Sequence, residues 1–352
     1  MTGRIVLGLG GTVDYELEWD AAAFQRLVDD HGIHLAEVEE DPPSVVADER
    51  GVVVAILRSM RRARGCECYV EDKEQLLAFG ARFGREVTLG GTCVRAALAM
   101  SRIGVDSTVH LVSISDEVRR RLPAGVAWTC SAEEDSLDPH VIVQYPRGAS
   151  VRLADATIVA GRPNRVILVN DEPNERMVLS RELPAVLREA SAVLISGLNT
   201  MKSADELRAR LAELAGMLRD VPRAVPVVYE DAGFHDEALR AVVLETVPSL
   251  ADAHSLNEDE ARQYLGRQMD LTAPGDVAMM EGLGEILGSP TVMVHPSRYA
   301  ACIGAEAGLY RDAARAGCLM ASTRFVNGDR YGRAEYDAVA VSPREPVGLA
   351  LA

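Results

Sequence analysis

Between residues 192 and 322 the sequence alternates short apolar runs with longer amphipathic ones, and few folds can accommodate that rhythm. Ala192–Ile195, Val225–Tyr229, Ala253–Leu256 and Thr291–His295 have strand length and are rich in Val, Leu and Ile. The spacing around them predicts helices over Ala204–Leu218, Glu237–Thr246, Glu258–Leu265 and Ala305–Ser322. Strands that return through helices lie parallel, with helices on both faces of the sheet. Ligands of such sheets bind at the carboxyl ends of the strands.

The first half reads differently. Arg4–Leu9 and Ser107–Val112 are further apolar strands, and Ala21–Val28, Val52–Arg64, Lys73–Phe83 and Thr92–Ile103 carry helical periodicity. Glu86–Leu89 is a strand running into Gly90-Gly91. Val126–Thr129, Val141–Tyr145, Ser150–Leu153 and Arg165–Asn170 then follow one another with turns and mostly no long helix between them, which predicts a second, smaller sheet of antiparallel character. With 352 residues, two domains are expected. Residues 1–14, 84–125 and 166–352 are expected to form a large α/β domain, and residues 15–83 and 126–165 a small lid.

Composition narrows the partners. The chain is 48% apolar and 26% charged, with a net charge of -16. Such a surface repels nucleic-acid phosphates and anionic membranes, so an anionic ligand binds only where local groups override the global field. The start, MTGRIVLGLGG, lacks the pattern of a signal peptide, and no apolar run has bilayer length. The six cysteines, among them Cys66 and Cys68 with one residue between them, fit neither a zinc knuckle nor a disulfide framework. Reduced thiols in a cytoplasmic protein are expected.

Five segments carry candidate chemistry. Gly10-Gly11-Thr12-Val13-Asp14 follows the first strand; Asp14 can grip a pair of sugar hydroxyls, and taken alone reads equally as a turn aspartate. Gly90-Gly91 opens a helix whose free N–H groups suit an anion, or is simply a tight turn. His140 heads a strand of the smaller sheet, where a lone histidine is commonly structural. Val227–Asp231 ends a strand in two acids, Glu230 and Asp231. Asn257 and Glu260 stand three apart at a helix start, an arrangement that suits water-mediated magnesium binding and also a capping box.

The order of these segments resembles the ribokinase-like kinases, and more closely the ADP-dependent phosphofructokinase/glucokinase family. The likeness is carried by GLGGTVDYELE, by Arg64-Gly65-Cys66-Glu67, and by LGGTCVRAALAMSRIG. It continues through PHVIVQYPRG, PNRVILVND, VLISGLNTM, Val228-Tyr229-Glu230, LNEDE and VMVHPSRYA, and so spans nearly the whole chain. The resemblance implies a three-layer α/β/α sandwich with a smaller β-rich lid, and phosphoryl transfer from ADP to a sugar or sugar-phosphate hydroxyl with Mg2+. It implies that Asp14, Glu67, Gly90, Gly91 and His140 hold the sugar and that Arg165 lies near the transferred phosphate. Glu230 and Glu260, with Asn257, would organise magnesium, and ADP would lie near His295. A homo-oligomer is compatible with it.

The sequence departs from the family pattern in three places. The late Gly-x-Gly-Asp, whose aspartate serves as catalytic base and whose glycines form an anion hole, is not found; only Asn327-Gly328-Asp329 stands late in the chain. The last segment, VSPREPVGLALA, resembles the stretch just before that motif, so the C-terminal part of the fold is expected to be missing. Val228 stands where the family has His. Thr12 stands where many relatives have Asn, and Thr92 follows the glycines. Two outcomes are therefore expected: an ADP-dependent sugar kinase, or a catalytically impaired relative that binds sugar or nucleotide and regulates.

Overall fold

The structure is a computed structural model that describes residues 3–43, 45–234, 236–267 and 270–351. The first strands are β1 (Ile5–Gly8), β2 (Thr12–Leu17), β3 (Val45–Val46), β4 (Cys66–Val70), β5 (Arg85–Gly90) and β6 (Ser107–Leu111). Next come β7 (Val126–Cys130), β8 (His140–Tyr145), β9 (Ser150–Arg152), β10 (Thr157–Val159) and β11 (Asn164–Val169). The last are β12 (Ala192–Ile195), β13 (Val227–Glu230), β14 (Ala253–Leu256), β15 (Thr291–Val294) and β16 (Ala301–Gly304).

Eight strands form one sheet in the order β16-β15-β14-β13-β12-β1-β6-β7. All its pairings are parallel except β15 with β16. The chain moves one way from β1 through β6 and β7, then the other way through β12 to β15. The order therefore reverses at β1, which makes its carboxyl end a natural ligand crevice. Tyr229, Leu256, Val292 and Val294 are buried on these strands, as the near-continuous apolar runs require of a sheet covered on both faces.

The second sheet has six strands in the order β3-β4-β11-β8-β2-β5. It is mixed rather than antiparallel: β2 with β5 and β8 with β11 are antiparallel, while β2 with β8 and β4 with β11 are parallel. The helix Glu49–Arg62 covers it, capped by Asp48, which accepts from the Gly51 N–H. Its face of Val52, Val53, Ile56, Leu57 and Met60 is fully enclosed, and each such side chain contributes roughly 1.5–3 kcal/mol by leaving water.

The sheets divide the chain differently from the sequence expectation. Val126–Cys130, expected in the small sheet, is the edge strand of the large one, parallel to β6. The fully buried β6 needs a neighbour on that side, and the helix Asp116–Arg121 supplies the crossover. Arg85–Gly90, assigned to the large domain, pairs with β2 in the small sheet, and β11 stays there to Val169. Ser150–Arg152 forms a separate hairpin with Thr157–Val159. Thr12–Leu17 and Cys66–Val70, not anticipated as strands, both belong to the small sheet. After residue 190 the expected strands and helices are present, within a few residues at their ends, whereas the edge strand Ala301–Gly304 and the helices Pro274–Met279, Leu283–Leu287, Arg333–Ala340 and Pro346–Leu351 were not anticipated.

Candidate active site

The crossing from β1 to β2 carries the chain from one sheet to the other, and glycines make it passable. Gly10 has a φ of 71°, and a Cβ on it would lie 2.2 Å from Asn174 Oδ1. Gly91 has a φ of 84°, and a Cβ there would stand 3.0 Å from the Gly11 Cα. Both positions need the left-handed backbone and the missing side chain.

Just past this crossing, Asp14 is buried on β2 with His140 of β8 as its register partner. Thr12 Oγ1 donates to Asp14 Oδ1 at 2.6 Å. A Cβ on Gly90 would come within 2.3 Å of Asp14 Oδ2, so the carboxylate lies directly over that glycine. His140 Nε2 is 3.1 Å from Asp171 Oδ2. Asn174 Nδ2 donates to the same Asp171 oxygen at 2.7 Å and to the Gly11 carbonyl at 3.0 Å. Burial disfavours the charged form of His140, but the hydrogen bond and charge of Asp171, with Asp14 and Glu67 beyond, prevail and raise its pKa.

This network faces a cavity of about 640 Å³. Glu67 and His140 line it from the small sheet, and Thr200 and Lys202 from the loop after β12. Asp171 and Asn174 complete that wall. Lys202 Nζ donates to Glu175 Oε1 at 2.7 Å and stands 3.1 Å above the Tyr69 ring, joining the two halves across the opening. Asp14, Gly90 and Gly91 lie behind His140 and outside the lining. Arg165 is exposed on β11, beside Gln144 in register, and also lies outside it.

A second cluster sits at the carboxyl ends of β13, β14 and β15. Glu230 Oε1 is 3.1 Å from His295 Nε2. Asn257 caps the helix Glu258–Leu265 by accepting from the Asp259 and Glu260 N–H groups, while Glu260 Oε2 accepts from the Asn257 N–H at 2.7 Å. The capping box is therefore present, and it aims the buried Glu260 at the other acids. Burial and the charges of Asp231 and Glu230 raise its pKa to about 7. Asp231 is buried and accepts from Tyr264 Oη at 2.6 Å, with His254 Nε2 3.2 Å away.

Among the described residues no group of three or more His, Cys, Asp or Glu side chains is arranged to hold a metal ion. The carboxylates of Glu230 and Glu260 are of the type Mg2+ takes, one or two at a time, with water and phosphate oxygens completing its shell. Glu260, whose ionisation is opposed by the neighbouring acids, is a group that a hydrated cation would relieve.

Three participants were not singled out by sequence. Asp171 caps and Asn174 lies in a five-residue helix, Glu172–Arg176, whose local signal is Asp171 accepting from the Asn174 N–H. Lys202 lies in a loop and carries no local pattern.

The chain matches the ADP-specific phosphofructokinase/glucokinase conserved region over residues 3–282. It belongs to that family. The fold agrees: a hypothetical ADP-dependent phosphofructokinase from Pyrococcus horikoshii OT3 superposes with a TM-score of 0.76 at 17% identity, over 97% of this chain and 85% of that one. An ADP-dependent kinase in complex with fructose-6-phosphate and ADPβS gives 0.72 at 13% identity, over 99% and 80%. A carbohydrate kinase from Agrobacterium tumefaciens gives 0.53 at 12%, over 98% and 99%. No curated protein matches the sequence. The architecture is thus the ribokinase-like fold of the phosphofructokinase/glucokinase family, with the smaller sheet set against one end of the larger. Among the described residues no helix is long and apolar enough to cross a membrane.

Proposed function

We propose that this family member is a cytoplasmic sugar kinase that transfers a phosphoryl group from ADP to a hydroxyl of a sugar or sugar phosphate. The observation that carries this reading is the cavity between the sheets, where Glu67 and the His140–Asp171 pair face the loops that follow β12 and β13. The six-stranded sheet acts as the lid. Closing it over the acceptor excludes water, which would otherwise take the phosphoryl group.

His140, whose charged form Asp171 favours, donates to an acceptor oxygen, and Glu67 accepts from a hydroxyl. Asp14, the register partner of His140, adds to the charge that favours the imidazolium and reaches a hydroxyl when the lid closes. Gly90 and Gly91 let the acceptor approach the backbone. Arg165 is proposed to swing toward the transferred phosphate on closure. Glu230 and Glu260, with Asn257, hold hydrated magnesium through water, and His295 lies beside the nucleotide. When bound, magnesium neutralises charge on the phosphate oxygens.

A second reading has one observation in its favour. Asp329, in the late Asn-Gly-Asp, is ion-paired with Arg324 and lies 3.8 Å from Arg95. The Arg324 pairing, with Arg95 adding to it, lowers the Asp329 pKa, which suits an ion pair better than a general base. A protein with that defect would bind sugar and nucleotide without turning them over.

Thermal-shift titration with glucose and fructose 6-phosphate, each with and without Mg-ADP, followed by an assay for phosphorylated product, separates the outcomes. Stabilisation by one sugar plus Mg-ADP with product formed supports the kinase. Stabilisation without product selects the binding protein. No response to any combination overturns both.

A further inference from the structure

β4 begins Cys66-Glu67-Cys68, and residues two apart on a strand project to the same face. The two sulfurs lie 3.5 Å apart and both line the cavity, together with Arg58 and Arg64. Among the described residues the strand is held on one side only at this point. β11 pairs with it from Cys66 to Tyr69, whereas β3 meets it only at Tyr69 and Val70. The spacing that looked poor for a disulfide changes meaning on such an open edge. Residues two apart on extended chain have Cα atoms about 6.6 Å apart, within the disulfide range of about 4.4–6.8 Å. A small deepening of the pleat brings the sulfurs together, and among the described residues no neighbouring strand opposes it beside Cys66–Cys68.

The two thiols are also unequal. The hydrogen bond from Cys68 and the charges of Arg58 and Arg64 outweigh burial and lower the Cys66 pKa. The same contact with Cys66, together with burial, raises that of Cys68. Burial raises the other four: Cys93, Cys130, Cys302 and Cys318. A thiol whose ionised form is favoured, beside one whose ionised form is opposed, under guanidinium groups in the cavity wall, is the environment of an oxidisable dithiol.

We propose that Cys66 and Cys68 form a peroxide-reactive dithiol in the cavity wall, with Cys66 the attacking sulfur and Cys68 the resolving one. The Cys66 thiolate attacks one oxygen of hydrogen peroxide, the O–O bond breaks, and hydroxide leaves a sulfenic acid on Cys66. Cys68 gives its proton to solvent hydroxide and attacks the Cys66 sulfur. The S–O bond breaks, the leaving hydroxide takes up the proton that Cys66 released on ionising, and the disulfide forms. The two sulfurs together lose two electrons and peroxide is reduced to water; an external dithiol reverses the step. Closing the ring re-aims Glu67, which lies between them, and so reshapes the acceptor side of the cavity; that consequence alone rests on the proposed function.

The test uses the full, reduced chain without sugar or nucleotide, so its outcome is independent of whether the protein is a kinase. Limited hydrogen peroxide is followed by alkylation and peptide mapping. The peptide containing both residues is expected to lose two hydrogens and escape alkylation at least about tenfold faster than Cys302 or Cys318 become oxidised. In Cys68→Ser, dimedone is expected to trap a sulfenic acid on Cys66; in Cys66→Ser, Cys68 is expected to stay alkylatable. Equal rates at Cys66, Cys302 and Cys318 in the unmodified chain overturn the proposal whether or not the variants fold. Absence of a dimedone adduct on Cys66 in a folded Cys68→Ser protein also overturns it.

Discussion

His140 and Glu260 are both buried, both stand among carboxylates, and both have raised pKa values, yet their protons are held for opposite reasons. For His140, burial works against the charge, and Asp171, Asp14 and Glu67 overcome it. For Glu260, burial comes first, and the neighbouring Asp231 and Glu230 add to it. One corner is complete: imidazole, carboxylate, amide and the Gly11 carbonyl satisfy one another. The other has excess negative charge, answered only partly by His295. The contrast separates a cluster whose charges folding has satisfied from one left with uncompensated negative charge.

The strongest way to break this comparison is at Asp171. Replacing it by Ala strands a buried imidazole, frees the Asn174 amide and removes the cap of the helix Glu172–Arg176. Breaking a buried pair from one side costs about 3–5 kcal/mol, so denaturant unfolding of Asp171→Ala should show a loss of that order. The pH dependence has a definite sign. The folded pKa of His140 lies above its ordinary value of 6.5, so the stabilisation is full below 6.5 and lost as pH rises through the folded value. The variant should lose that part of the decline. A change under about 1 kcal/mol with an unaltered pH profile would mean the corner is not a unit.

Glu260→Gln is expected to act in the other direction. Glutamine keeps the capping bond to the Asn257 N–H and removes a charge that the site opposes. A folded pKa raised from 4.5 to about 7 means stability is full below 4.5 and declines as pH rises through 7. The shift corresponds to about 3 kcal/mol at most. Without ligand, the variant should therefore be more stable than the parent at pH 8 and similar at pH 4, as read by chemical denaturation. Its stabilisation by Mg-ADP should shrink while that by sugar persists. Destabilisation at pH 8 would show that Glu260 is already compensated.

How much of this was legible follows from where each signal is stored. The parallel sheet was, because Val225–Tyr229 and Thr291–His295 are apolar runs set between helices of measurable period. The small sheet was only partly legible. Thr12–Leu17 contains three polar residues and looks like a turn, and its strand state comes from pairing with β5 and β8 at distant positions. Val126–Cys130 is a short, mostly apolar run without strict alternation, and only the vacancy beside β6 decides its sheet. The capping box at Asn257–Glu260 was legible because a local motif carries it. Asp171 was not, because its role depends on His140, 31 residues away in the chain and reached through the register of β8 with β11.

Asp14 tests whether the finished corner is finished for binding as well. Asp14→Ala removes a buried acceptor and leaves the Thr12 hydroxyl without its partner, which should weaken sugar binding by about 1–3 kcal/mol. Calorimetry should find Mg-ADP binding little changed. Equal losses for both ligands would point to a folding defect and dissolve the division between the two corners.

The smallest effect is expected at Lys202, which touches both halves. Its bond to Glu175 and its place over Tyr69 are half-exposed, so Lys202→Met should cost about 1 kcal/mol or less in stability. Lys202 contributes a positive charge to the cavity wall from the large-sheet side, opposite Glu67. Removing it should raise the Kd of an anionic acceptor such as fructose 6-phosphate while leaving a neutral sugar such as glucose nearly unaffected. If the two sugars lose affinity equally, Lys202 acts by holding the halves together, and the charge of the acceptor must be read elsewhere in the wall, with Arg58 and Arg64 the next groups to replace.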